Sequence, residues 1–282
     1  MRNNSNRGHM KKYLLFATLF FSTCLYAQVN RVDHFFVSSP KAEQLFKLFK
    51  EELGLPVAWD YKNWGGFSSG AVTLGNISFE FVSFDSLQET KYDAMALEAR
   101  EAVEEFILVL DARKVAHDTI EYSTYTKKDG STGGWATLNL RNLLPPEAGM
   151  FICDYKERDR VVIATTRDSA ELIKRKGGPL GVIRLQEIVV ASPDPENNKK
   201  ELLKIPGILN KKTDLISFSK GPALRLVRST SGRIEKIIIR VYSLAVAKKY
   251  LQSHNLLGSS SANSIYINPQ AIEGLTVELV DK

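Results

Sequence analysis

Cysteine is almost missing from this chain. Only Cys24 and Cys153 occur in 282 residues, and Cys24 falls in a leader-like N-terminal stretch. The remaining protein therefore cannot form an internal disulfide and must be held together by its core. A strong excess of one charge is missing too. The formal net charge of +6 falls to +2 once Arg2, Arg7, Lys11 and Lys12 of the leader are removed. That is too little to argue for nucleic acid or an anionic membrane as partner. The short mixed run Lys156–Arg160 and the basic cluster Lys174–Lys176 read as solvated faces.

Long apolar runs are scarce. The stretch Tyr13–Tyr26 is too short to cross a bilayer comfortably, which takes about 20 apolar residues. It follows Lys11 and Lys12 and ends in Leu25-Tyr26-Ala27, so residues 1–27 are expected to be a signal peptide, with Met10 as the effective start. The mature chain would then begin at Gln28 and be exported to the periplasm or medium without stable membrane insertion.

What is present is repetition. The strand-like run Arg31–Ser39 is followed by Pro40 and a helical pattern over Lys41–Leu53, which Gly54 stops. Three further strand-like runs follow at Val57–Tyr61, Gly70–Leu74 and Ile77–Phe84. The same β-α-β-β-β order is read three more times. The second unit uses Glu105–Leu110, Ala112–Tyr122, Gly134–Leu140 and Gly149–Tyr155. The third uses Arg184–Ala191, Glu196–Lys204, Leu215–Ser219 and Ala223–Arg228. The fourth uses Ile234–Val241, Leu244–Gln252, Ser264–Ile267 and Leu275–Asp281. His34 to Pro40 aligns with Glu187 to Pro193 without a gap, and Glu80 falls in the same place as Glu278. One unit leaves an apolar sheet face open, so the units are expected to pair. Asp85–Glu104 reads as an amphipathic joining helix and Lys156–Gly181 as a polar linker. The expected division is a first domain over 28–160, a linker over 161–181 and a second domain over 182–282.

Paired β-α-β-β-β units with Val32-Asp-His-Phe-Phe-Val37, Leu53-Gly-Leu55 and Leu74-Gly-Asn-Ile-Ser-Phe-Glu80 resemble the vicinal-oxygen-chelate superfamily. Its members include glyoxalase I, extradiol dioxygenases and bleomycin-resistance proteins. The stretch from Gly178 to Ile188 extends the resemblance, which covers nearly all of the mature chain. It implies an α+β protein of four βαβββ modules, paired into two glyoxalase-like domains with curved, trough-forming sheets. It also implies a divalent metal in a trough, held from the first and last strands of a module. In the first module those positions carry His34 and Glu80, donors that suit zinc, manganese or iron. The second module departs from the pattern, with Phe106 where a histidine is expected and Cys153 opposite Glu80. The third and fourth modules pair Glu187 with Arg225 and Lys236 with Glu278, where each cation would neutralise the acid.

Other readings of these residues stay open. His34 also suits a hydrogen-bonded strand histidine, Glu80 an internal salt bridge and Cys153 a small buried hydrophobe. His117 and His254 read as solvated. Trp59, Tyr61, Asn63, Trp64 and Trp135 border the expected trough, and Trp64 and Trp135 are the candidates for stacking a planar ligand. Two functions follow from this. One is a lyase or dioxygenase with one divalent metal on His34 and Glu80, acting on an oxygen-rich or aromatic small molecule. The other is a metal-free protein that binds or sequesters such a molecule.

Overall fold

A computed structural model describes residues 28–127, 129–212 and 214–281; the expected signal peptide lies outside them. The chain is α+β, with sixteen strands among the described residues arranged in two eight-stranded sheets. The first module runs β1 (Val29–Ser38), α1 (Ala42–Lys47, continued by a π-helical turn over Leu48–Glu52), β2 (Val57–Asn63), β3 (Ser68–Thr73) and β4 (Ser78–Ser83). The second runs β5 (Lys91–Ala99), α2 (Val103–Ala112), β6 (Glu121–Thr126), β7 (Thr132–Asn139) and β8 (Gly149–Tyr155). Helix α3 (Arg158–Lys174) then leads to the third module: β9 (Val182–Ser192), α4 (Pro195–Leu202), β10 (Leu209–Lys212), β11 (Leu215–Ser217) and β12 (Ala223–Arg228). The fourth closes the chain with β13 (Arg233–Val241), α5 (Leu244–Ser253), β14 (Leu257–Ser260), β15 (Ile265–Ile267) and β16 (Val277–Val280).

The two sheets share one topology. The first has the order β2-β3-β4-β1-β5-β8-β7-β6 and the second β10-β11-β12-β9-β13-β16-β15-β14. Within each module the last strand lies parallel to the first, as in β1–β4 and β9–β12. Two modules join through antiparallel pairing of their first strands, β1 with β5 and β9 with β13. The first sheet curls into a half-barrel.

The apolar face of the first sheet is set by alternation. Phe35, Val37, Phe79, Phe81, Met95, Leu97, Met150 and Ile152 are buried in the core. Phe35 stacks on Phe79 at 4.6 Å and 3°, and Phe49 from the π-helical turn meets Phe79 edge-on at 5.2 Å. Burying rings of this size contributes about 1.5–3 kcal/mol each. The helix ends as expected at Gly54, whose φ of +64° is a left-handed cap that glycine adopts without strain.

Several expected elements differ. Asp85–Glu104 is not a joining helix, because strand β5 occupies Lys91–Ala99. Its Ala, Met, Leu and Glu favour a helix, but the segment is clamped between β1 and β8, and tertiary pairing overrides propensity. The second module therefore starts earlier than expected. Glu105–Leu110 lies in helix α2, Phe106 is a fully buried helical core residue, and most of Ala112–Tyr122 is not helical. The stretch read as a polar linker folds as α3 through Lys174. Edge strands β10 and β14 were not anticipated; both are four residues long with no buried position, which leaves no hydrophobic alternation to read.

Candidate functional site

The open face of the first sheet encloses a cavity of about 480 Å³. His34 and Phe36 reach it from β1, Glu80 and Val82 from β4, and Phe151, Cys153 and Tyr155 from β8. Val32 does not share this face: the β1–β5 register shifts between Val32 and His34, which turns Val32 into the core. Trp59 and Ser69 form one wall and Tyr125 and Trp135 the other. Helix α3 crosses one side, where Arg160, Val161 and Ala164 complete the lining.

His34 and Glu80 meet at the floor. Both are buried, and His34 Nε2 lies 3.5 Å from Glu80 Oε2. The other imidazole nitrogen, Nδ1, contacts Asp33 Oδ2 at 2.9 Å, which orients the ring and leaves Nε2 aimed at the cavity. Behind Asp33 stand Arg31 at 2.6 Å and the Tyr155 hydroxyl, which donates to Oδ2 at 2.7 Å. Arg31 is in turn held by Glu98 at 2.5 Å.

This network sets the protonation of the floor. Burial works against an imidazolium at His34, yet the Asp33 hydrogen bond and the charges of Glu80 and Asp33 outweigh it and raise its pKa. Burial raises the Glu80 carboxyl, against the charge of His34 and a hydrogen bond from Ser69. Both members of the pair are thus moved toward holding a proton. Burial also pushes the Cys153 thiol and the Tyr155 phenol well up, so both are neutral at physiological pH.

Above the floor the walls are aromatic. Trp64 meets Trp135 edge-on at 5.9 Å and Tyr125 at 5.4 Å, so the two expected stacking residues are together at the rim. Trp64 Nε1 donates to Ser69 Oγ at 3.0 Å, and Trp59 Nε1 reaches the same oxygen at 3.4 Å. Ser69 therefore ties both indoles to Glu80. No sequence signal singled it out, because a serine on a strand is commonplace until its neighbours are known. Tyr61 turns away from the cavity to pack on Phe46. His117 and His254 lie outside it as well.

The donor set does not fit the divalent metal that the superfamily resemblance implies. Catalytic zinc and non-haem iron sites take three protein donors. No group of three or more His, Cys, Asp or Glu suited to a metal occurs among the described residues. On β5, the strand facing β1, His34 pairs with Ala96 and Phe36 with Ala94, so no side-chain donor stands there. Cys153 is the nearby alternative, but it does not form a group of three with His34 and Glu80 that could hold a metal.

The corresponding positions of the second sheet are self-neutralised. Arg225 grips Glu187 with two hydrogen bonds of 2.6 and 3.0 Å and also pairs with Asp214. Lys236 pairs with Glu278 at 2.7 Å. The expected neutralisation of both acids is present.

No family model and no curated protein matches the chain. Solved structures do. A hypothetical protein from Staphylococcus aureus superposes with a TM-score of 0.61 at 11% identity, over 89% of this chain and 99% of that one. The E323L mutant of homoprotocatechuate 2,3-dioxygenase from Brevibacterium fuscum gives 0.56 at 11% identity, over 92% and 73%. The same enzyme in anaerobic complex with 3,4-dihydroxyphenylacetate gives 0.57 at 12% identity, over 92% and 82%. Likeness at such identities shows a shared fold, that of two glyoxalase-like domains. No described helix is long and apolar enough to cross a membrane.

Proposed function

We propose that the trough of the first sheet binds a small, flat, oxygen-bearing molecule and that His34 and Glu80 act on it as a proton-transfer pair. One observation carries this reading: a buried, Asp33-oriented histidine and a buried carboxyl, 3.5 Å apart, close the floor of an aromatic-walled cavity. Desolvating a carboxyl costs several kcal/mol, which a binding surface alone would not require. A ligand hydroxyl at the floor could give its proton to whichever member of the pair is unprotonated, and a ligand carbonyl could receive one from the member that is protonated, as general acid–base chemistry needs. The aromatic walls would stack the ring and exclude water. Ligand-binding solved neighbours of the same fold, such as the 3,4-dihydroxyphenylacetate complex, support a small-molecule role.

Equilibrium dialysis with phenol, catechol and cyclohexanol tests the proposal. Catechol and phenol should bind saturably and cyclohexanol at least about tenfold more weakly, since stacking and the floor pair both require the planar hydroxyl. His34→Ala and Glu80→Gln should each reduce catechol affinity about tenfold or more. The purified protein should carry well under one zinc, manganese or iron per chain, before and after incubation with each ion. Unchanged catechol binding in both variants would remove the floor pair from the site. One tightly held metal per chain, lost in Glu80→Gln, would restore the metal-dependent lyase or dioxygenase reading.

A further inference from the structure

Charge is distributed unevenly along the trough. At the floor the ionisable groups are the mutually paired His34 and Glu80, flanked by apolar rings. Three cations stand near the mouth: Arg160 in the lining itself, and Lys127 and Lys62 against the lining residues Glu157 and Trp64. Arg160 lines the cavity from the first turn of α3, and its side chain is 71% exposed. Lys127 pairs with Glu157, and Arg160 must share that same carboxylate, from its other oxygen, at 3.2 Å. Asp129 lies close enough to Lys127 to feel its charge. Lys62 is different: its ammonium sits 3.6 Å from the centroid of Trp64 and 5.4 Å from that of Tyr125. Among the described residues no carboxylate pairs with it.

An ammonium on an aromatic face keeps much of its charge available to a third group, because the ring quadrupole attracts it without neutralising it. Lys62 and the half-compensated Arg160 thus flank the aromatic rim that the ligand must pass. Positive charge at the lip of a low-dielectric cavity draws anions and repels cations. We infer that the mouth selects ligands carrying an anionic group, a carboxylate or sulfonate, next to a flat apolar body, with the ring between Trp64 and Trp135 and the anion at Lys62 and Arg160. This rests on the reading of the trough as an aromatic binding site and adds the charge of its ligand.

Three isosteric probes separate the two ideas by equilibrium dialysis: 2-naphthoate, 2-naphthylmethanol and 2-naphthylmethylammonium. At low ionic strength naphthoate should bind at least about tenfold more tightly than the alcohol, and the ammonium compound more weakly than either. The advantage of the anion should shrink as salt shortens the screening length from about 30 Å at 10 mM toward about 3 Å at 1 M. Lys62→Met keeps the stem over Trp64, and Arg160→Met lies on an exposed helix face, so both variants should fold, which a thermal melt checks. Each should lower naphthoate affinity at least about threefold more than it lowers that of the alcohol. Equal binding of anion and alcohol, or a naphthoate affinity insensitive to both substitutions, overturns the charge selection and leaves the aromatic site standing. Failure of all three probes to bind overturns the aromatic site and this inference with it.

Discussion

Asp33 is a small residue with four obligations. It accepts hydrogen bonds from Arg31 and Tyr155, orients His34 and lies fully inside the protein. Burial alone would raise its carboxyl pKa, but the hydrogen bond and charge of His34, the charge of Arg31 and the Tyr155 hydroxyl together hold it below the ordinary value. A carboxyl depressed in the folded state stabilises that state above its unfolded pKa, near 3.8, and the contribution disappears as pH falls through the lower folded value. Asp33→Asn should therefore cost on the order of 3 kcal/mol at pH 7, where it leaves Arg31 and His34 short of a partner. Urea unfolding should show that deficit narrowing as the pH is lowered below 3.8; a deficit constant from pH 7 to about pH 3 would mean that the Asp33 pKa is the same in the folded and unfolded protein. At this scale the sequence was informative about His34 and Glu80, because strand alternation put both on a predictable face. It was uninformative about Asp33, Ser69 and Tyr155. Asp33 and Tyr155 depend on a register shift in β1 and on strands more than a hundred residues apart, and Ser69 on indoles and a carboxyl that only the folded hairpin brings around it.

Helix α3 shows how an element can be legible in composition and misread in role. Its low apolar content and flanking Gly177-Gly178-Pro179 suggested a polar linker, yet it folds as a helix with only Asp168 and Leu172 fully buried. Its first turn is held by Arg158, which donates to the carbonyls of Arg100 and Glu101 and to Asp154 at 2.5 Å. That anchor places Arg160 and Val161 along the cavity. Arg158→Ala should fray the first turn, since three acceptors lose one donor and little apolar burial remains to hold it. Brief trypsin digestion should then cut after Arg160 at least several-fold faster than in the unaltered protein, while the sheets stay resistant. An unchanged rate would show that packing, and not Arg158, fixes the helix. The β5 error has the opposite origin. A central strand rich in Ala, Met and Leu carries no clean alternation, because the burial that makes it a strand comes from neighbours distant in sequence.

The four-module α+β architecture was legible at the scale of the whole molecule, but the stitching between the sheets was not. One continuous core cluster includes residues of both sheets. At the corner Leu74-Gly75-Asn76, the Asn76 side chain forms a two-bond clasp on the backbone of Leu185. Its Nδ2 donates to the Leu185 carbonyl at 2.9 Å, and its Oδ1 accepts from the Leu185 N–H at 3.0 Å. Leu185 N–H also reaches the Leu74 carbonyl at 3.1 Å. Gly75, with φ +91°, is required beside it, because a Cβ there would lie 2.5 Å from the Ile183 carbonyl oxygen. Asn76→Ala removes both bonds of the clasp and leaves the Leu185 carbonyl without its side-chain partner in a half-buried place, a loss of about 1–3 kcal/mol. Because the shared core couples the sheets, the loss should lower the midpoint of a single urea transition monitored by far-ultraviolet circular dichroism and by tryptophan fluorescence. Trp59 and Trp135 lie in the first sheet and Trp64 in the loop between its strands β2 and β3, so fluorescence reports the first half of the molecule while dichroism reports both sheets. Coincident curves in both proteins are the expected result. Fluorescence that holds its midpoint while the dichroism curve splits in Asn76→Ala would show instead that the sheets unfold independently and that Asn76 joins them only weakly.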